Sequence, residues 1–294
     1  MSLPIETVIH TLGHDAVRPL PRGELFISRG FLDHCFGEDQ EDYVQQLERA
    51  AQGLGLSVIG VELDTEGSRS LLSETSYGKL EQYFTVGCIN GPITGLIEGH
   101  GFRDAMLSMR KDPSLISSLV VRLLRETEKT AKLARINGFR AIAMADDIAG
   151  NRGLFFSLSY FVDRVLPVYK EIAAIIKGNG LFAFFHSDGD MRKVIGPLIE
   201  SGYDCIHPID AQAGQNLHEL KEEFGERVSF MGHIDIMAWT EEHMHQEISR
   251  AENEFRTGGL ILGSTCGISM ETVSEKLSAL YPQWKRRGMN SENG

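Results

Sequence analysis

The sequence predicts one α/β domain over residues 1–294, a (β/α)8 barrel of the TIM type with an extra N-terminal segment and a long insertion over the barrel mouth. Three observations predict it. Eight short apolar runs alternate with amphipathic stripes of helical spacing, mostly at intervals of about 23 to 40 residues. No G-x-G-x-x-G turn follows the first run, which disfavours an open doubly wound sheet. No linker, low-complexity tract or repeat divides the chain.

The expected strands are 25–28, 58–63, 84–89, 141–145, 181–185, 204–206, 228–231 and 260–263. They are nearly continuous apolar segments, as strands buried on both faces must be. Between them, 157–178 carries a stripe from Leu158 through Phe161, Val165 and Ile172 to Ile176, with Gly178 as its expected cap. Further helices are expected over 190–201, 215–224, 241–255 and 270–284, and Pro113 is expected to open another carrying Leu115, Leu119 and Leu123. The stretch 90–140 is long enough to hold a lid.

Composition narrows the function classes. At 42% hydrophobic and 24% charged the chain is globular. Its net charge of −12, with scattered basic residues, disfavours a nucleic-acid partner. No apolar run approaches the roughly 20 residues of a membrane span, and 1–21 lacks the apolar core of a signal peptide, so a cytoplasmic location is expected. Cys35, Cys88, Cys205 and Cys266 form no C-x-x-C pair, and Cys88 and Cys205 fall inside apolar runs as small hydrophobes.

Polar residues recur where the apolar runs stop. Glu62 and Asp64 follow the second run, Asp146 and Asp147 the fourth, His186 and Asp188 the fifth. His207 and Asp210 follow the sixth, His233 and Asp235 the seventh, and Cys266 the eighth. In a barrel all these positions surround one pocket, and such a gathering suits metal binding or proton transfer. Strand ends also meet solvent, and Asp is a common turn or cap residue, so Asp146, Asp147 and Asp188 have that second use. His100, His218, His243 and His245 fall in helical or loop sequence and are expected at the solvated surface. Trp239 and Trp284 are expected to pack on the core.

Six stretches carry a family resemblance: GPITG (91–95), MADDIAG (144–150), FFHSDGD (184–190), LIESGYDCIHPID (198–210), LKEEFGERVSFMGHID (220–235) and GSTCGISMETVSEKLSAL (263–280). With them the chain resembles the uroporphyrinogen decarboxylase superfamily, closest in look to its cobalamin-dependent methyltransferases. That resemblance implies transfer of a methyl group between a small substrate or thiol and a corrinoid carried by a partner protein, in a monomer or homodimer. It also implies zinc held by an H-x-C pair and a second, later cysteine. Here His186-Ser187-Asp188 replaces the first cysteine by aspartate and Cys266 matches the second. The implied ligand set is therefore His186, Asp188 and Cys266, with Glu62, Asp146 or Asp147 as a fourth ligand or proton acid. His207, His233 and Asp235 are implied as acid, base or supporting partners. The decarboxylase reading lacks a paired-arginine segment, although Arg18, Arg22 and Arg29 stand in that region. A non-catalytic ligand-binding barrel is the third reading.

Overall fold

The computed structural model describes residues 4–37, 43–63, 77–112, 114–272 and 276–284. Asp64 and Pro113 lie outside them. Eight parallel strands form one sheet in chain order: β1 Gly23–Glu24, β2 Val58–Glu62, β3 Phe84–Asn90, β4 Ala141–Ala145, β5 Phe182–His186, β6 Cys205–His207, β7 Ser229–Ile234 and β8 Leu260–Ser264. A bridge between Arg22 and Leu262, with the Leu262 N–H donated to the Pro21 carbonyl at 2.9 Å, brings β8 back to β1. The TIM-type barrel is thereby closed.

Closure explains the glycines near the seam. A Cβ on Gly60 would lie 1.8 Å from the Leu25 carbonyl oxygen, and one on Gly263 would lie 2.2 Å from that of Gly23. Only a bare Cα lets the chain around β1 fit between β2 and β8.

Pleat alternation divides the apolar residues into two cores. Val58, Phe84, Ala143, Phe184, Met231 and Ile261 fill the barrel interior, while Ile59, Ile142, Phe185, Phe230 and Leu262 pack outward beneath the helices. Cys88 and Cys205 belong to the interior core, and all four cysteines are free. The extra N-terminal segment is helix α1, Pro4–Leu12, whose Ile5 and Val8 join that interior core.

Three helices occupy the long insertion after β3: α2 Pro92–His100, α3 Phe102–Lys111 and α4 Leu115–Ile136. A small hairpin, Ala149–Gly150 with Gly153–Leu154, follows β4. Just beyond it Phe155 meets Phe102 of the insertion edge-on at 4.9 Å. Later strands are followed by α5 Leu166–Gly178, α6 Ile195–Glu200, α7 Leu217–Phe224, α8 Glu241–Glu254 and α9 Leu277–Leu280. Asn216 and Thr240 cap α7 and α8 through their side-chain oxygens. No helix among the described residues is long and apolar enough to cross a membrane.

Several expected boundaries move. The first strand was expected at 25–28 but pairs at Gly23–Glu24, because Ser28 already caps the helix Arg29–Phe36. The stripe over 157–178 is one helical run with a π turn at Phe161–Val165. Pro167, two residues beyond it, has no N–H for the α pattern across that turn. The left-handed residue ending the run is Gly180, φ +72°, rather than Gly178. The helix expected over 190–201 shortens to α6, and the described residues of 270–284 form a 3-10 turn at Met270–Thr272 and α9.

A buried carboxyl ties the seam to the C-terminal segment. Glu24 is fully buried and accepts from the Ser264 N–H at 2.7 Å, the Ser264 hydroxyl at 2.9 Å and the Tyr281 hydroxyl. Burial outweighs those bonds and pushes its carboxyl up to about 7. The folded state therefore holds this proton more tightly than the unfolded chain does. Its stabilising contribution is complete below the ordinary glutamate range and is lost as pH rises to about 7. Urea unfolding of wild type and Glu24→Gln across pH 4 to 8 should show the wild type losing up to about 3 kcal/mol more than the variant over that range. Parallel profiles would contradict it.

Candidate functional site

The strand register sets the site. Ala145, His186 and His207 stand side by side at the ends of β4, β5 and β6. His186 continues the inward row above Phe184, and His207 the row above Cys205. Their Nδ1 atoms are 2.8 Å apart, so one ring donates and the other accepts. Phe26 meets His186 edge-on at 4.9 Å and His207 at 6.3 Å. Burial holds His186 down to about 4 and His207 well below the usual histidine range. Both rings are therefore neutral at neutral pH.

With Nδ1 engaged, the Nε2 of His186 faces the Asp147 carboxylate at 3.8 Å, beyond hydrogen-bond reach. The same Asp147 oxygen accepts the Asp188 N–H at 3.1 Å, and the Asp147 N–H is donated to the Thr94 hydroxyl at 2.9 Å. Gly189, φ +86°, lets this loop press on the one after β4, since a Cβ there would lie 2.6 Å from the Ala149 carbonyl carbon. Solvent reaches Asp188 from the mouth, but protein crowds its carboxyl on the other sides. That crowding, with Asp147 and Asp210 adding repulsion, pushes it up to about 7. One ligand atom from each of Asp147, His186 and Asp188 lies within 4.8 Å of the others. Two carboxylates and one neutral imidazole are a donor set suited to a divalent cation.

The other expected site residues are distributed around this group. Asp146 is fully buried and turns away from it to accept from the N–H groups of Ile93 (3.2 Å) and Thr94 (2.6 Å) and from the Tyr169 hydroxyl (2.5 Å). It supplies the side-chain cap that Gly91 cannot give α2, and burial still pushes its carboxyl up to about 6. Both its oxygens are thus engaged in holding α2 and Tyr169. Asp235 is buried and accepts from the Gln212 amide at 2.5 Å and the Ala238 N–H at 2.8 Å. Glu62 is exposed at the end of β2 and lies outside the group, as does Cys266. Cys266 lies next to Gly267, which backs onto the Phe26 main chain, while the Phe26 ring meets the two histidines. Crowding of the thiol, with Glu24, Asp235 and Asp188 nearby, pushes it up to about 11.

His233 departs from the expected layout. Gly232 and His233 have φ of +96° and +87°, which breaks the pleat and turns the imidazole outward. Its Nε2 faces Glu247 of α8 at 3.2 Å. His218 of α7 was expected at the surface but is buried between Glu247 and Glu254, whereas His100, His243 and His245 are exposed. Trp239 and Trp284 pack, partly buried, on the outer core. The sequence offered a signal for Glu24, an acid at the head of the apolar run 25–27, and for Thr94 within GPITG. For the outward turn of His233 it offered only the glycine that precedes it.

The family model described as uroporphyrinogen decarboxylase (URO-D) matches residues 78–286. The chain belongs to the uroporphyrinogen decarboxylase family. No curated protein sequence matches it significantly. Among solved structures, a methyltransferase from Methanosarcina mazei superposes with a TM-score of 0.72 at 15% identity, covering 97% of this chain and 98% of that one. A sugar phosphate isomerase/epimerase from Parabacteroides distasonis gives 0.55 at 9% identity, over 90% of this chain and 100% of that one. At such identities the likeness is one of fold. Within this URO-D member the two adjacent aspartates divide the work, one holding α2 and one facing His186.

Asp146→Asn should cost about 3 kcal/mol, since an amide nitrogen would face buried donors. Asp147→Asn, half exposed, should stay within about 0.5 kcal/mol of wild type. Urea unfolding at pH 7 distinguishes them, and equal losses would contradict the division.

Proposed function

We propose that this URO-D family protein is a metal-dependent methyltransferase, moving a methyl group between a small substrate or thiol and a corrinoid borne by a partner protein. The observation that carries the proposal is the Asp147–His186–Asp188 group at the strand ends. Its fit to a cation is chemical. Nothing positive within the group balances its carboxylates, and the tautomer of His186 that donates from Nδ1 to His207 leaves the Nε2 lone pair for a metal. Zinc bound there would act as a Lewis acid on the methyl donor or acceptor. Asp147, His186 and Asp188 would hold it.

The chain's own residues supply the rest. His207 fixes the tautomer and orientation of His186. Burial and the neighbouring Asp147 and Asp210 raise the Asp188 carboxyl to about 7, a repulsion that a bound cation would relieve. Phe26 walls the histidines and limits water around them. Phe102, Phe155, Met237 and Met270 are exposed apolar side chains on the segments that follow β3, β4, β7 and β8, on the side where a corrinoid protein would dock.

A decarboxylase acting on a polycarboxylate would need fixed cations at the mouth. The carboxylates there oppose one, and Arg18 and Arg22 line a cavity with Ser57 and Tyr83 at the opposite, N-terminal end of the strands. The test is methyl transfer to free cob(I)alamin from a panel of methylated thiols, ethers and amines, read by absorbance beside zinc content. His186→Ala and Asp147→Asn should each lose zinc from the mouth and slow transfer at least tenfold. Folded, zinc-supplied protein that transfers no methyl group would sink the proposal. Decarboxylation of uroporphyrinogen would replace it, and inactivity in both assays would leave a ligand-binding barrel.

A further inference from the structure

The cluster outside the barrel has a chemistry of its own. His218 comes from α7, His233 from β7 and Glu247 from α8, and one ligand atom of each lies within 4.8 Å of the others. Both imidazole Nε2 atoms face the same Glu247 oxygen, at 3.1 Å for His218 and 3.2 Å for His233. A tetrahedral zinc site with bonds of about 2.1 Å separates its ligand atoms by roughly 3.4 Å. The spacing is nearly that of a metal site already assembled.

The far side of each ring supports the same conclusion. His218 points its Nδ1 at the Glu254 carboxylate, so both its nitrogens face acceptors. A neutral imidazole has one N–H and cannot satisfy both. The buried Nδ1 of His233 makes no well-formed hydrogen bond, although the Ile209 carbonyl lies toward it. Metal-ligating histidines present their second nitrogen to a carboxylate or a backbone carbonyl in this way, which leaves Nε2 bare for the ion. Two bare nitrogens against one carboxylate oxygen would repel unless a cation sat among them. Glu254 and Glu247, seven residues apart on α8, share the face that makes this possible. Backbone at positive φ is costly for a residue with a side chain, and at His233 it is what turns the ring into the cluster.

We propose that His218, His233 and Glu247 form a second divalent-cation site, outside the barrel mouth, for a first-row ion such as zinc. The ion joins β7 to the two helices that cover it, with Glu254 and the Ile209 carbonyl orienting the histidines. Glu247 is partly exposed, so the site has a path to solvent. This site is independent of the reaction proposed for the mouth.

The test is a titration of full-length, chelator-stripped protein with Co2+, followed by its visible absorption. Wild type should bind about two equivalents, and His186→Ala, His218→Gln and Glu247→Gln about one each. His186→Ala combined with His218→Gln should bind none. Glu254→Gln, which spares every ligand, should weaken the outer site by about 10- to 100-fold. Should the ligand variants fail to fold, Zn2+ added to His186→Ala should still raise its melting temperature and slow histidine modification by diethyl pyrocarbonate. Identical titrations for wild type, His218→Gln and Glu254→Gln, or no zinc effect on His186→Ala, would overturn the outer site and leave an imidazolium–carboxylate cluster. Wild-type stoichiometry in His186→Ala would instead remove the mouth site alone.

Discussion

Closing eight parallel strands on one another leaves each side chain only two directions, toward the axis or toward the helices. The seam at β1 is where that closure is most demanding, and Gly60 and Gly263 meet it by having no Cβ. Once the ring is closed, the register follows, and with it the neighbours at the strand ends. Ala145, a small residue, stands beside His186, and His186 beside His207, so two imidazoles touch without a bulky side chain crowding them. No local motif could bring together groups that leave the chain 21 residues apart.

Burial then sets the charge state. The two histidines lie too deep to be protonated at neutral pH, while Asp188, Glu24 and Asp146 are all held above the usual carboxylate range. Hydrogen bonds differ among the three acids. Asp146 and Glu24 have their oxygens engaged by donors, and their burial is offset by that structure. Asp188 sits between Asp147 and Asp210 and has repulsion where the others have partners. An acid in that position is relieved by a proton or by a cation.

Much of this was legible before any coordinates. Apolar runs buried on both faces located the strands within a few residues, and the polar residue after each run located the mouth. That reading pointed to His186 and Asp188, which the structure brings together with Asp147. Adjacent residues with opposite fates were not separable, because what distinguishes Asp146 from Asp147 is contact with Ile93, Thr94 and Tyr169, and none of these is a sequence neighbour. His233 was assigned inward on the assumption of an unbroken pleat. The glycine before it gave a hint of irregularity, but the positive φ at His233 itself belongs to the tertiary fold. His218 looked solvated because its two acidic partners come from another helix, 29 and 36 residues away.

Ile5 and Val8 have a consequence for traffic. By joining the interior core they put a floor under the barrel, and the interior above them is solid with side chains. A ligand at His186 thus sits in a cul-de-sac. Arrival and departure share one doorway, and any large body resting on that doorway must lift before the contents can change.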